Sequence, residues 1–355
     1  MGKIKALMET LLGRANGVAT LDDVGNVPHE QLGNVSRPNL LHNWYFADPI
    51  DQRGRYVVKP GVQYYDVSDT SLSTPLGLVD GYYPVISMHG NYNICNDSGY
   101  QFCVASSDCV RGYTGAGYGI DRWWASRADV VVLVEDDGVS LQSYDWGEMI
   151  ENERIPLNTD MTFSILTSDG VLGYTTVRFN GTINQQFVKN LGDTGVRLNC
   201  LYGWRSSGMA TPFFLQARNG AVKIRAAKLE LGTTQTLAHQ DADGNWVLND
   251  PPPNKALELL KCQRYQLSQH WCNYPATFIA QDSIEFNIPI PVTMRANPSA
   301  SGFVVRDGSG VNQSGFTFLF VAVSNYIKVV AYKQAHGLTS AYLASSADTI
   351  LDANL

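Results

Sequence analysis

The sequence predicts an all-β chain: a jelly-roll-type β-sandwich followed by a smaller C-terminal β domain, with a short N-terminal helix and one linker helix. Three observations carry this. Turn formers and aromatics are abundant, 32 Gly and 15 Pro beside 18 Tyr and 7 Trp, and such a composition favours short strands joined by tight turns. Apolar runs are short and follow one another without intervening helical patterns, as two-layer antiparallel architectures require. Charged residues make up only 17% against 44% hydrophobic, below the roughly 25% charge of an ordinary soluble domain, which argues against disorder and against a solvated helical rod. At roughly 100–200 residues per domain, 355 residues hold two or three domains.

At the start, Ile4, Leu7, Met8 and Leu11 recur at three- and four-residue spacing, so 3–12 reads as an amphipathic helix within an N-terminal unit 1–15. About three turns do not persist alone in water, and the stripe is covered either by its own chain or by a helical bundle between copies. Residues 16–38 have turn residues and no core-sized apolar block, and read as an extended connector.

The sandwich is expected over 39–250, with strands at 129–134, 161–166, 171–179, 196–202, 212–216 and 222–231. In the last, Val222, Ile224 and Ala226 alternate with Lys223 and Arg225, the pattern of a half-buried strand. The run DADGNW at 241–246 reads as an Asp-Gly turn, and Pro251–Pro253 then block both helix and central strand. Asn254 caps a helix over about 254–265, within a linker 251–269, with Ala256, Leu259, Leu260 and Gln263 along one face. Strands at 277–280, 283–290, 303–306, 316–323 and 326–332 then build a C-terminal domain over 270–355.

Several function classes are excluded at this level. A net charge of −7, a pI near 5.4 and no Lys/Arg stripe leave no electrostatic footprint for nucleic acid. The longest apolar runs, 130–134 and 316–323, fall far short of the ~20 residues that cross a bilayer, and the first residues carry no export signal, so no membrane insertion is expected. Six cysteines without a CxxC pair fit reduced thiols rather than a disulfide scaffold. His89, Cys95, Cys103 and Cys109 match no zinc spacing, and in the calcium-like run Asp241, Asp243, Asn245 the closing Glu is replaced by Pro252. No metal and no cofactor are expected. Nor is a catalytic residue: GxSxG, HExxH and Walker A are absent, and the carboxylates at 135–137 and at Glu148, Glu151 and Glu153 read as solvated polar stretches.

Four segments are recognisable as a set: NLLHNWYFADPIDQRG at 39–54, RGYTGAGYGIDRW at 111–123, AAKLEL at 226–231 and DPPPNKALELLKCQRY at 250–265. With the connector NGVATLDDVGNVPHEQLG before them, they resemble the distal region of bacteriophage and prophage tail fibre proteins, which carry a carbohydrate-binding-module-like sandwich and a C-terminal tip domain. The resemblance implies a homotrimer, attachment to other tail or baseplate proteins through the N-terminus, synthesis in the bacterial cytoplasm and a place in the virion. It also implies non-catalytic binding of a host surface polysaccharide. A polysaccharide-degrading tailspike is the alternative, and the absence of a 20–30-residue sequence period argues against its usual parallel β-helix. In this reading Asn39–Phe46 enters the sandwich as its first strand with Trp44 and Phe46 on one face, and Asp121 and Arg122 form an ion pair beside the core residue Trp123.

Simpler members of that family pass almost directly from the QRG turn to the YTGAGY turn, whereas here 55–110 intervenes as an insertion with eight aromatics among many Ser, Asn and Asp. Aromatic planes stack on sugar rings while short polar side chains hydrogen-bond hydroxyls, which makes Tyr64, Tyr65, Tyr82, Tyr83 and Tyr92 the candidate glycan-binding residues, with the 270–355 domain as the second candidate region. The same tyrosines are equally suited to packing a small inserted subdomain or a seam between copies.

Overall fold

Val222–Leu231 is the strand around which the first half of the protein is organised. The computed structural model that contains it describes residues 36–52, 56–58, 83–85, 94–97, 100–103, 109–114, 117–125, 131–141, 145–204, 210–218, 220–345 and 348–353. The helix expected over 3–12, with Ile4, Leu7, Met8 and Leu11, lies outside these residues, as does nearly all of the 16–38 connector. On one side Ile224–Leu231 pairs antiparallel with Met161–Thr167, with a register shift at Leu166–Thr167; on the other, Gly138–Leu141 covers only Val222 to Ile224. Where that strand ends, residues 39–46 take over: Ala227 N donates to Trp44 O, Phe46 N to Arg225 O and Leu40 N to Leu229 O. Asn39 completes this edge, its side-chain oxygen accepting from Leu229 N and its amide donating to Ala227 O. The expected half-buried alternation thus gives way, beyond Arg225, to a strand buried on both faces through Glu230.

Two antiparallel sheets form the sandwich. The first runs Leu172–Val177, Met161–Thr167, Val222–Leu231, Gly138–Leu141, Val131–Glu135, Cys109–Thr114, Tyr56–Val58, Tyr83–Val85. The second runs Gln186–Asn190, Val196–Leu201, Ala210–Ala217, Trp146–Glu151, Trp123–Ala125, Gly117–Ile120. Successive strands change sheet repeatedly, so sequence neighbours face each other across the core, as the jelly-roll expectation requires. That core holds Phe46, Trp123, Trp146, Phe163, Phe213 and Leu229, all fully buried. Phe46 meets Trp123 edge-on at 4.7 Å and Trp146 at 5.3 Å between ring centroids, an arrangement aromatic quadrupoles favour. Gly147 is needed in the middle of this layer, because a Cβ there would lie 2.0 Å from the Phe213 carbonyl oxygen.

The C-terminal half curls a seven-stranded antiparallel sheet around a second core, in the order Asn312–Gln313, Phe303–Asp307, Ala341–Ser345, Tyr274–Ile279, Ser283–Pro289, Tyr326–Tyr332, Thr317–Val323. Period-2 patterning does the work here: Ile284, Phe286 and Ile288 point inward beside Ile327, Val329 and Ala331, and register sets Phe286 opposite Val329 and Val329 opposite Phe320. A ribbon of Gln266–His270 and Asp348–Asp352 closes this core with Leu267 and Trp271.

Three expectations are corrected. Asn39–Phe46 is no strand: it bends at 41–43, Asn43 has φ +52°, and only Tyr45 forms a bridge, to Ala226. Trp44 and Phe46 do both enter the sandwich core. The stretch holding Glu148 and Glu151 is a central strand, Trp146–Glu151, buried at every position. The linker helix is capped by Asn254, whose side chain accepts from Ala256 N and Leu257 N, but it spans Lys255–Gln263 and buries Glu258 and Cys262 while Ala256 and Leu260 face solvent. At Glu258 the buried side meets the backbone N–H of Asn43, and a carboxylate is the group that fits there. Among the described residues no helix is long and apolar enough to cross a membrane.

Candidate functional site

Three of the four recognisable segments, far apart in sequence, meet at one buried polar junction between the sandwich and the C-terminal domain. Its centre is Glu148, a carboxylate with no solvent exposure lying opposite Phe213 and Trp123 in the sheet register. One oxygen accepts from His42 N at 2.8 Å; the other faces His42 Nδ1 at 3.0 Å and Arg122 at 3.2 Å. Arg122 (φ +72°) also donates to Met149 O at 2.8 Å and lies over the Tyr265 ring, its Cζ 3.5 Å from the centroid. Arg122, expected from the sequence to pair with Asp121, forms an ion pair with Glu148, and Asp121 receives the Gln52 side-chain amide at 2.6 Å.

A second layer surrounds Tyr265. Glu151 binds Arg154 at 3.3 Å and Arg295 at 3.0 Å, and Arg295 N donates to Arg264 O. Burial acts to raise the Glu151 carboxyl, but its own backbone N–H, the Tyr265 hydroxyl, Arg122 and Arg154 together hold it below the ordinary carboxylate range. The Tyr265 phenol is pushed up, first by burial and then by Glu151. From the helix, Glu258 accepts from Asn43 N at 2.6 Å, and Asn43 in turn bridges Ile50 and the Asp121 carbonyl. Gln52 reaches into the C-terminal ribbon, donating to Gln266 O at 2.8 Å. The fourth segment supplies Lys228, whose buried ammonium ties Ser36 to Asp250 and so fixes where the chain enters the sandwich beside the start of the linker. Buried ion pairs of this kind contribute little net stability against an apolar equivalent, but they specify one arrangement of the parts they join.

Three more of the carboxylates singled out from the sequence, Glu135, Asp137 and Asp241, are also engaged. Glu135 and Asp137 flank Lys223 at 2.7 and 2.9 Å, and these bonds raise the lysine's pKa. Asp241 makes the expected Asp-Gly turn: its Oδ1 accepts from Asp243 N and Asn245 N, Gly244 has φ +85°, and the Asn245 N–H leads in holding the carboxyl low. Among the described residues, no three His, Cys, Asp or Glu side chains are grouped so as to hold a metal ion.

Of the glycan-binding candidates, Tyr64, Tyr65, Tyr82 and Tyr92 lie outside the described residues, and Tyr83 is placed only as strand backbone opposite Val58. Two open clefts occur elsewhere. One, of about 430 Å³, lies at an end of the sandwich and is lined by Asp137, Asp169, Asp193 and Lys223 among others. The second, of about 450 Å³, lies in the C-terminal domain between the 280–282 turn and the 333–340 loop. It was not singled out from the sequence, where no composition shift or motif marks it.

Comparison with known protein families, with curated proteins and with solved structures finds no match. The likeness to tail fibre proteins therefore stands on the quoted segments alone.

Proposed function

We propose that the chain is a structural and receptor-binding subunit of a phage tail fibre: a homotrimer joined to other tail or baseplate proteins through its N-terminus, made in the bacterial cytoplasm and carried on the virion. It binds host surface polysaccharide without cleaving it. The observation that supports this is the convergence of the recognisable segments on the junction around Glu148 and Arg122. A subunit that holds a tip at a distance from the particle needs its two β domains locked in one orientation, and a buried, directional polar junction does that better than an apolar seam able to slide. Non-cleaving binding is supported by the same geometry. A glycosidase needs two carboxylates facing a sugar across a groove, and of the carboxylates singled out from the sequence Glu135, Asp137, Glu148 and Glu151 are each held by a cation.

The test has two parts. Light scattering on the purified chain should give three times its 39.0 kDa mass, and the protein should adsorb to intact cells of some bacterial strains and to their isolated polysaccharide without releasing reducing ends. A monomer that adsorbs to none of a broad strain panel overturns the proposal, and released oligosaccharide replaces it with the tailspike.

A further inference from the structure

We infer that the cleft at the end of the C-terminal sheet is a saccharide subsite selective for an uncharged sugar, with His336 as its hydrogen-bond donor. This rests on the glycan-binding reading and narrows it to a place and a chemical class.

The walls are two loops tied together by Asp282. Its carbonyl accepts from Lys333 N at 3.1 Å and its side chain from Ala335 N at 2.7 Å, so the 280–282 turn and the 333–340 loop hold a fixed spacing. Between them the cleft of about 450 Å³ is lined by Ile279, Ala280, Gln281, Ala335, His336, Gly337, Leu338 and Thr339, an apolar floor with polar groups at its rim. That is the general make-up of a small-molecule site.

His336 is the unusual member. It sits between two residues in the left-handed region, Ala335 at φ +49° and Gly337 at φ +69°. For alanine that conformation is strained, and such strain concentrates where a loop positions a side chain. The imidazole Nδ1 accepts the Leu338 N–H at 3.0 Å, which places the ring proton on Nε2. Nε2 is buried and has no hydrogen-bond partner. Leaving a buried donor unserved is costly, and native structures rarely do so without a use for it. The ring packs against Phe316, 5.8 Å away between centroids, and Lys333 Nζ lies over that phenyl ring, 5.4 Å from its centroid. His336 itself lines the cleft, so a ligand oxygen seated there supplies the partner that Nε2–H lacks.

The ligand class follows from what the lining lacks. No Lys, Arg, Asp or Glu is among the lining residues, and Lys333, which starts the 333–340 loop, donates to Ser314 O at 2.9 Å. A uronic or sialic acid carboxylate would find no counter-charge, whereas a neutral hexose or N-acetylhexosamine offers a hydroxyl or acetamido oxygen to Nε2–H. Its remaining hydroxyls meet the Gln281 amide and the Thr339 hydroxyl, and its apolar face meets Ile279 and Leu338.

The experiment uses the full chain and the methyl glycosides of galactose, glucose, N-acetylglucosamine and glucuronic acid, each at tens of millimolar, with saturation-transfer and histidine-resolved NMR. At least one neutral glycoside should receive saturation and shift the His336 ring resonances, while the glucuronide does neither. His336→Ala should weaken that binding at least tenfold and Gln281→Ala severalfold, with melting temperature unchanged for the exposed Gln281 variant. Binding that survives both substitutions, a preference for the glucuronide, or no response to any neutral glycoside overturns the subsite. Cell adsorption of the wild type separates this from failure of the wider reading: adsorption that persists in both variants removes the subsite and leaves the fibre function standing.

Discussion

The guanidinium of Arg122 lies against the face of the Tyr265 ring, 3.5 Å from its centroid, while its nitrogens hold the Glu148 carboxylate at 3.2 Å. One side chain of the sandwich thus binds both the carboxylate of its own central strand and the residue through which the linker helix enters the C-terminal domain. Neither contact alone fixes the angle between the domains; together they do, because a planar fork and a ring face constrain each other.

Arg122→Ala should therefore be among the most damaging single substitutions in the chain. It leaves Glu148 charged and buried beside His42 alone, a situation that costs about 3–5 kcal/mol. Arg122→Lys keeps the charge but not the fork or the stacking, and should fall between the two. Urea denaturation gives the ordering; equal stability of wild type and Arg122→Ala would refute the role assigned to this pair.

The linker helix allows a sharper contrast, since it turns a carboxylate inward and a leucine outward. Glu258 accepts from Asn43 N at 2.6 Å, while Leu257 is 60% exposed. Glu258→Ala strands the Asn43 N–H and should cost on the order of 1–3 kcal/mol. Leu257→Ala should stay within about 0.5 kcal/mol of wild type in a single chain. Thermal melts of the two variants decide the matter, and a reversed order would mean that Leu257 rather than Glu258 is the side chain this helix packs.

That helix also shows what a sequence can and cannot disclose. Asn254 as cap, the Asp-Gly turn at 241–246 and the alternation through Ser283–Pro289 depend on residues a few positions apart, and all are legible in the chain itself. Which face of Lys255–Gln263 is buried depends on Asn43, 215 positions from Glu258, and the burial of Glu148 depends on His42, 106 positions away. No local pattern encodes such partners. Solvated stretch was thus the natural reading of Glu148 and Glu151, and the apolar stripe the natural reading of the helix. The C-terminal cleft was invisible for the same reason: its walls come from two loops about 50 residues apart, joined through Asp282 and Ala335.

Thiol reactivity should separate the three cysteines whose side chains are described. Burial pushes the thiols of Cys200 and Cys262 well above their ordinary range, and around Cys262 the carboxylates of Asp121 and Glu258 add to it. Cys272 is exposed. Because the thiolate is the reacting species, iodoacetamide on the native protein should label Cys272 while Cys200 and Cys262 react only after unfolding. Peptide mapping that finds Cys262 alkylated under native conditions would mean that the helix does not stay docked.

Acid should loosen the junction through Glu151. Its carboxyl is held below the ordinary carboxylate value of 4.5 in the folded protein, because the hydrogen bonds from its own backbone N–H and from Tyr265, with Arg122 and Arg154 beside it, outweigh the burial that acts to raise it. A group depressed on folding contributes stability that is complete above its unfolded pKa and is lost as pH falls through the folded one. The loss therefore begins near pH 4.5 and continues below it, as protonation removes the charge that Arg295 and Arg154 share. Glu151→Gln removes this group's titration, so the variant should be less stable than wild type at pH 7 and the gap should narrow steadily as the pH is lowered beneath 4.5. Urea midpoints at a series of pH values measure that gap. A difference between the two proteins that stays constant from neutral pH to the acid limit would show that the Glu151 carboxylate does not carry the junction's electrostatics.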